Sequence, residues 1–194
     1  MAIQLIVGLG NPGDAYKDTR HNLGADCLRA LLRRHGLEAT RAARYKSDFV
    51  RAPLYGQARR CLIPLTYMNL SGQPVGRVCR FFRIPAEDVL VIHDETAFAP
   101  GVARLKDGGG AGGHNGVRDV MRVIGPDFKR LRLGIGKPPK GKNAVPWLVN
   151  ARPPKKEREL MRASCDIPDA VWEALLKGDM DTAMNTLHAP LADS

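Results

Sequence analysis

Val89-Leu90-Val91-Ile92 is an unbroken apolar run that ends on the polar triplet His93-Asp94-Glu95. A strand without alternation must be covered on both faces, which places it inside a mainly parallel sheet with helices on each side. Ile3-Gln4-Leu5-Ile6-Val7 is a second short run that suits a buried strand. Between and after these runs the period changes to that of a helix. Leu23, Cys27, Leu28, Leu31 and Leu32 form one apolar stripe, with Asn22 as its expected cap and Gly36 as its end. Val75, Val78, Cys79 and Phe82 form another, stopped by Ile84-Pro85, and Val117, Val120, Met121 and Ile124 a third. Residues 47–52 and 57–64 flank Tyr55-Gly56 and predict a hairpin. Val102 to Lys106 is a shorter strand candidate, and Lys129 to Ile135 alternates charged with apolar residues, predicting a strand with one solvated face. Pro153-Pro154 marks a joint before the last helices. The expected fold is therefore α/β: one domain over 1–194, a twisted, mixed, mostly parallel sheet flanked by helices, with C-terminal helices at 155–190 packed on it.

Size and composition narrow the function classes. The chain has 194 residues, enough for one domain with a core. No apolar run approaches the ~20 residues of a membrane span. The chain enters its first strand with no signal-peptide pattern, so a cytoplasmic protein is expected. Four cysteines, Cys27, Cys61, Cys79 and Cys165, show no C-x-x-C spacing and read as small buried hydrophobes rather than a metal site or disulfide frame. Thirty Lys and Arg against twenty Asp and Glu give a net charge of +10, which favours a polyanionic partner, nucleic acid before membrane.

The chemistry gathers in loops at strand ends, where open α/β sheets place their ligands. His21 lies in the polar loop after the first run and is the candidate base. Asp94 ends the strongest run and is the residue that can hold a histidine by Nδ1, freeing Nε2 to take a proton from water. Asn11, Asn69 and Asn115 stand in three separate strand-to-helix loops; each offers a donor and an acceptor suited to an amide-rich ligand or a developing oxyanion. Gly8-x-Gly10-x-x-Gly13 has the spacing of a dinucleotide fingerprint, but Pro12 and the polar stretch up to Asn22 delay the helix that would cradle a pyrophosphate. The glycine-rich run before His114 reads either as an anion site of backbone N–H groups at a helix N-terminus or as a loop beside solvated charges. No G-x-S-x-G or H-E-x-x-H is present, so a general base acting on water is the economical hydrolytic route.

Taken together, several long motifs resemble the bacterial peptidyl-tRNA hydrolase family. They are Val7-Gly8-Leu9-Gly10-Asn11-Pro12-Gly13 with Tyr16, then Thr19-Arg20-His21-Asn22, then Thr66-Tyr67-Met68-Asn69-Leu70-Ser71-Gly72. His93-Asp94-Glu95, Gly109 to Gly116 and Arg130 to Gly136 complete the set. The resemblance implies an esterase that cleaves the bond between a peptide and the 3′ ribose of a tRNA, with His21 as base and Asp94 as its orienting partner. It implies that Asn11, Asn69 and Asn115 hold the peptide and the ester. Tyr16, Tyr67, Met68, Gly112 and His114 would line or border the crevice, and Lys106 and Arg132 would clamp the tRNA 5′ phosphate. It further implies a monomer that needs no metal, cofactor, membrane or obligate protein partner. Thr96-Ala97-Phe98 depart from the family's usual leucine-aspartate-leucine, which bears on local loop packing. Two other classes compete with it: a non-catalytic RNA-binding protein on the same fold, and a nicotinamide-dependent enzyme built on Gly8 to Gly13. Retention of the histidine, the aspartate and all three asparagines speaks against the first.

Overall fold

In the computed structural model, which describes residues 2–189, the two apolar runs lie side by side. The strands are β1 (Leu5–Gly8), β2 (Thr40–Ala42), β3 (Ser47–Leu54), β4 (Gln57–Pro64), β5 (Val89–Glu95), β6 (Ala103–Asp107) and β7 (Lys129–Gly134). The helices are α1 (Leu23–Arg34), α2 (Gly72–Phe82), α3 (Asn115–Ile124), α4 (Ala144–Val149), α5 (Lys155–Ala163), α6 (Asp169–Lys177) and α7 (Met180–His188). One seven-stranded sheet runs in the order β2-β3-β4-β1-β5-β7-β6. Its centre, β4-β1-β5-β7, is parallel, and its two margins are antiparallel. The expected hairpin is β3–β4, turned by Tyr55 and Gly56, both at positive φ (49° and 79°), the pairing a tight hairpin favours. The helices at 155–190 are α5 to α7; residue 190 falls outside the described residues.

Alternation along the central strands divides the core into two layers. Ile6, Leu90, Ile92, Leu131 and Leu133 face α1 and the C-terminal helices, where Leu28, Leu32, Trp172 and Leu176 are buried. Leu5, Val7, Val89 and Val91 face α2 and α3 through Val75, Val78, Val117 and Val120. The chain thus leaves β1 toward one face and leaves β4 toward the other, where α3, which follows β6, also lies. This opens crevices beside the carboxyl end of β1, the arrangement in which doubly wound sheets bind ligands.

Two local expectations are corrected. Asn22 precedes α1 but does not cap it; its side chain instead takes both backbone groups of Asn11, accepting from N at 2.8 Å and donating to O at 2.9 Å. A lost cap costs about 1 kcal/mol, whereas each buried leucine of the α1 stripe contributes roughly 1.5–3 kcal/mol, so packing decides the helix. The second correction concerns β7. Its charged face is not solvated, because Arg130 is only 2% exposed. The guanidinium bonds the carbonyls of Gly109 and Gly110 and lies over Phe128, 4.7 Å from the ring centre.

Candidate active site

Asp94 is the centre of the site. It sits on β5, 3% exposed, and its carboxylate accepts from two histidines. His21 Nδ1 lies 2.8 Å from Oδ2 and 3.0 Å from Oδ1, and His114 Nε2 lies 2.8 Å from Oδ1. The two imidazoles are 4.7 Å apart, centre to centre. His21 belongs to a single tight turn, Arg20–Asn22, that leads directly into α1. That turn approaches β5 closely because Gly24 has no side chain. A Cβ there would lie 2.2 Å from the Ile92 carbonyl oxygen and 3.0 Å from the His93 Cα. Arg20 anchors the same turn from the other side, bonding Glu157 on α5 at 2.9 Å and the Trp147 carbonyl on α4 at 3.2 Å.

The hydrogen bonds fix the tautomers. His114 is the N-cap of α3, and its Nδ1 accepts from Gly116 N at 3.1 Å and Val117 N at 3.2 Å. An accepting Nδ1 carries no proton, so the proton is on Nε2 and is donated to Asp94. His21 donates Nδ1–H to the same carboxylate, which leaves Nε2 as a lone pair. Among the described residues that atom has no partner, and it is not sealed from solvent. Of the two histidines, His21 alone has a nitrogen free to take a proton.

The charges follow. Burial works to raise the Asp94 pKa, but His21 and His114, acting as neighbouring charges and donors, hold it well below the ordinary carboxylate value. Burial works to lower that of His21, and the charge and hydrogen bond of Asp94 outweigh it, so the pKa is raised. His93, the residue before Asp94, is pushed down to about 3 by burial and by His114. It stays neutral and donates Nδ1–H to the Asp94 carbonyl at 2.7 Å, pinning the backbone from which the carboxylate projects.

Around this cluster lies a small pocket of about 80 Å³ lined by His21, Asp94, Glu95, Gly112, His114 and Asn115 among others. Leu148 of α4 also lines it; neither that residue nor α4 was expected, although Asn143 caps the helix at Val145 N (3.0 Å) and Trp147-Leu148-Val149 is apolar. Asn11 is tied to the second loop, its Oδ1 accepting from Met68 N at 2.7 Å, and it lines a larger cavity of about 660 Å³ beside α1 rather than the pocket at His21. Met68 is buried, and its Sδ would be 2.4 Å from a Cβ on Gly116, beside His114. Tyr16 and Tyr67 meet edge to face at 6.2 Å, with Tyr67 exposed. Asn69 is exposed, and Asn115, also exposed, accepts from Arg118 at 3.0 Å. Lys106 and Arg132 share the α3 side of the sheet at the β6–β7 edge, in a register that sets Arg104 opposite Arg132 and Lys106 opposite Arg130. Arg132 lies 3.7 Å from Glu95 and its guanidinium is over Phe98 at 4.9 Å, which gives the departing Phe98 a packing partner.

Two expectations about the glycine loops resolve. The α3 N-terminus is not an open anion site, since the His114 ring already takes its first N–H groups and the loop turns carbonyls toward Arg130. After Gly13 comes a short 3-10 turn, Asp14–Tyr16, and α1 begins only at Leu23, so no helix N-terminus stands at the third glycine. His21, Asp94 and His114 also present donor atoms within 4.8 Å of one another, the spacing of a metal-ligand set. Both nitrogens facing the carboxylate carry protons in this network, and each would have to give one up to bind a cation.

A buried carboxylate that orients one accessible histidine, at the carboxyl end of a parallel strand, is the equipment of a hydrolase that works through water. The model of the family described as Peptidyl-tRNA hydrolase matches residues 5–193. A peptidyl-tRNA hydrolase of Shewanella baltica is 49% identical over 189 residues, covering 96% of each chain, and one of Alkalilimnicola ehrlichii is 46% identical, covering 96% of this chain and 95% of the relative. The crystal structure of peptidyl-tRNA hydrolase from Acinetobacter baumannii superposes with a TM-score of 0.91 at 42% identity, covering 96% of this chain and 95% of that one. The chain belongs to the peptidyl-tRNA hydrolase family.

Proposed function

We propose that this protein hydrolyses the ester between a peptide, or an N-blocked aminoacyl group, and the 3′ ribose of a tRNA, with His21 as the base. The observation that carries the assignment of the base is the split between the two histidines on Asp94. His21 Nε2 takes a proton from water as the water oxygen attacks the ester carbonyl carbon. Asp94 stabilises the imidazolium so formed. The tetrahedral intermediate then expels the ribose 3′ oxygen, which receives the proton from His21 Nε2. The products are a free peptide carboxylic acid and a tRNA with its 3′ hydroxyl restored.

Asn11 and Asn115 have their side-chain oxygens engaged, by Met68 N and by Arg118 respectively. Each amide NH2 is thereby left to donate to peptide carbonyls or to the developing oxyanion. Asn69, Tyr16, Tyr67, Met68 and Gly112 complete the peptide side of the crevice. Main-chain contacts of this kind accept any peptide sequence. Lys106 and Arg132 take the tRNA 5′ phosphate, supported by their common face on the β6–β7 edge. The net charge of +10 suits the rest of the RNA. The protein acts as a cytoplasmic monomer, without a metal or cofactor; among the described residues no helix is long and apolar enough to cross a membrane.

The test is hydrolysis of N-acetyl-aminoacyl-tRNA beside the same aminoacyl-tRNA with a free amine. Cleavage of the blocked substrate, lost in His21→Ala, is the expected result. Absence of cleavage by folded wild type that still binds tRNA would move the protein to the non-catalytic RNA-binding class. Lys106→Ala and Arg132→Ala are expected to weaken cleavage of tRNA substrates more than of short esters, and equal losses on both would remove the clamp.

A further inference from the structure

The margin of the sheet away from Lys106 and Arg132 carries a second concentration of positive charge. Gln73, Arg77 and Phe81 are spaced i, i+4, i+8 along α2, with Arg80 beside them, so they share its outer face. The short turn before β3 packs against this face: Arg77 donates to the Arg44 carbonyl at 3.1 Å, and Lys46 donates to Gln73 Oε1 at 3.3 Å. Phe81 is 57% exposed, the one large apolar side chain of α2 left so open, and the Arg44 guanidinium lies 4.4 Å from its ring centre. Arg60 lies over Phe82 at 3.9 Å and faces Arg51 directly across the β3–β4 ladder.

Like charges placed directly opposite one another cost stability, and no carboxylate here neutralises them. Among the described residues, Arg44, Lys46, Arg60, Arg77, Arg80 and Arg83 have no carboxylate within ion-pair distance. No acid occurs in α2. Asp48 of β3 alternates to the opposite face, where Arg29 reaches it at 3.9 Å. Their contacts within the chain are to carbonyl and amide oxygens and to ring faces, none of which neutralises the charge, so the surface is arranged for an anion outside the chain.

We infer that this ridge of α2 and the β3–β4 hairpin is a second RNA-binding surface, one that takes an RNA other than the molecule whose ester occupies the crevice. Arginine predominates over lysine, which suits bidentate phosphate contacts and stacking, and an exposed aromatic ring among guanidinium groups is a platform for an unstacked base. A membrane would ask for more exposed apolar area than one phenylalanine supplies. The separate molecule follows from position. β3 and β7 are four strand spacings apart, roughly 19 Å, and an acceptor stem that runs from His21 over Lys106 and Arg132 leaves the sheet at the β7–β6 end. That last step rests on the clamp proposed above; the charge and the aromatic ring do not.

The probe is a fluorescently labelled RNA hairpin with a single-stranded loop and no acceptor end, titrated by anisotropy against wild type and Arg77→Gln/Arg80→Gln/Phe81→Ser. These side chains lie on an outer helix face, and a thermal melt checks the variant's fold. Binding of the hairpin is expected to weaken at least tenfold. The slope of log affinity against log salt should fall by roughly 1.4–1.8, the share of two phosphate contacts, with cleavage of a short N-acetyl-aminoacyl ester unchanged. An acceptor-stem minihelix at saturation is expected to leave hairpin binding in place. Equal affinity of wild type and variant overturns the surface. Displacement by the minihelix overturns the second molecule. Capture by phosphatidylglycerol vesicles with no hairpin binding overturns RNA as the partner. Loss of ester cleavage in His21→Ala bears on the catalytic reading alone.

Discussion

The crevice around Asp94 and the basic ridge on α2 use charge in opposite ways. In the crevice one carboxylate, 3% exposed, meets two histidines at 2.8 Å, and the second nitrogen of His114 is spent on a helix cap. Of the four ring nitrogens on these two histidines, only His21 Nε2 has no partner among the described residues. On the ridge the cations have no acidic partner among the described residues and are spread over α2, a turn and a hairpin. Burial confers chemical definition on the first region, and solvation confers tolerance on the second. Substitutions should therefore act in an all-or-none way in the crevice and in a graded, salt-dependent way on the ridge.

The largest effect is expected from His21→Ala, a loss of about 10²–10⁴ in kcat with the fold retained. Normal activity in that variant would remove His21 as the base. Asp94→Asn should approach the same loss through the tautomer. The cap locks His114 as an Nε2–H donor, so the new amide oxygen faces His114 and the amide NH2 faces His21 Nδ1. His21 must then accept at Nδ1 and carry its proton on Nε2, where a base cannot use it. A pH–rate profile measured in parallel should show wild-type activity rising with pH through a value above the ordinary histidine value of 6.5, because the imidazolium is stabilised and must lose its proton to act. A midpoint below 6.5 would contradict this.

Smaller and sharper is His114→Asn. Asparagine still caps a helix, so the stability change should come from the donor that the buried carboxylate loses, about 1–3 kcal/mol. Asp94 loses one of its two donors, and activity should fall less than in His21→Ala. A fall as large as that of His21→Ala would give His114 a role in the proton transfer itself. Acid stability separates the buried residues further. His93 is held neutral down to about pH 3, whereas an unfolded histidine protonates near 6.5. Between these values the unfolded chain binds the additional proton, so stability falls as pH drops. The Asp94 contribution, present above the ordinary carboxylate value, is lost lower, as pH falls through its depressed folded value. The His21 contribution has the opposite sign of dependence and is lost as pH rises through its raised value. His93→Asn should flatten the decline below pH 6.5 in denaturant titrations; an unchanged decline would assign it to other groups. Gly24→Ala, which drives a methyl against the Ile92 carbonyl, should lower activity and stability together.

What could be read from the sequence was what periodicity and strand ends encode. The buried run Val89 to Ile92, the α1 stripe and the β3–β4 hairpin follow from spacing. His21 and Asp94 were candidates because loops at strand ends converge. What the sequence hid were side chains whose partners are remote. Arg130 alternates as a solvated residue would, yet the glycine loop folds its carbonyls onto it. Asn22 stands where a cap belongs and serves Asn11 instead. His114 closes the end of α3 with an imidazole, a residue outside the usual capping set, so its fixed tautomer had no local signature. The ridge joins Arg44, Arg60, Arg77 and Phe81 across three elements, and no window along the chain contains them all.

Asp94 holds His21 as the Nδ1–H tautomer with a raised pKa while the α3 cap holds His114 as Nε2–H. A nitrogen-15 NMR titration of the imidazoles tests it most directly. The expected result is a protonated Nδ1 and a free Nε2 on neutral His21, the reverse on His114, and a His21 midpoint above 6.5. A His21 that carries its neutral proton on Nε2, or that titrates at or below 6.5, would contradict it.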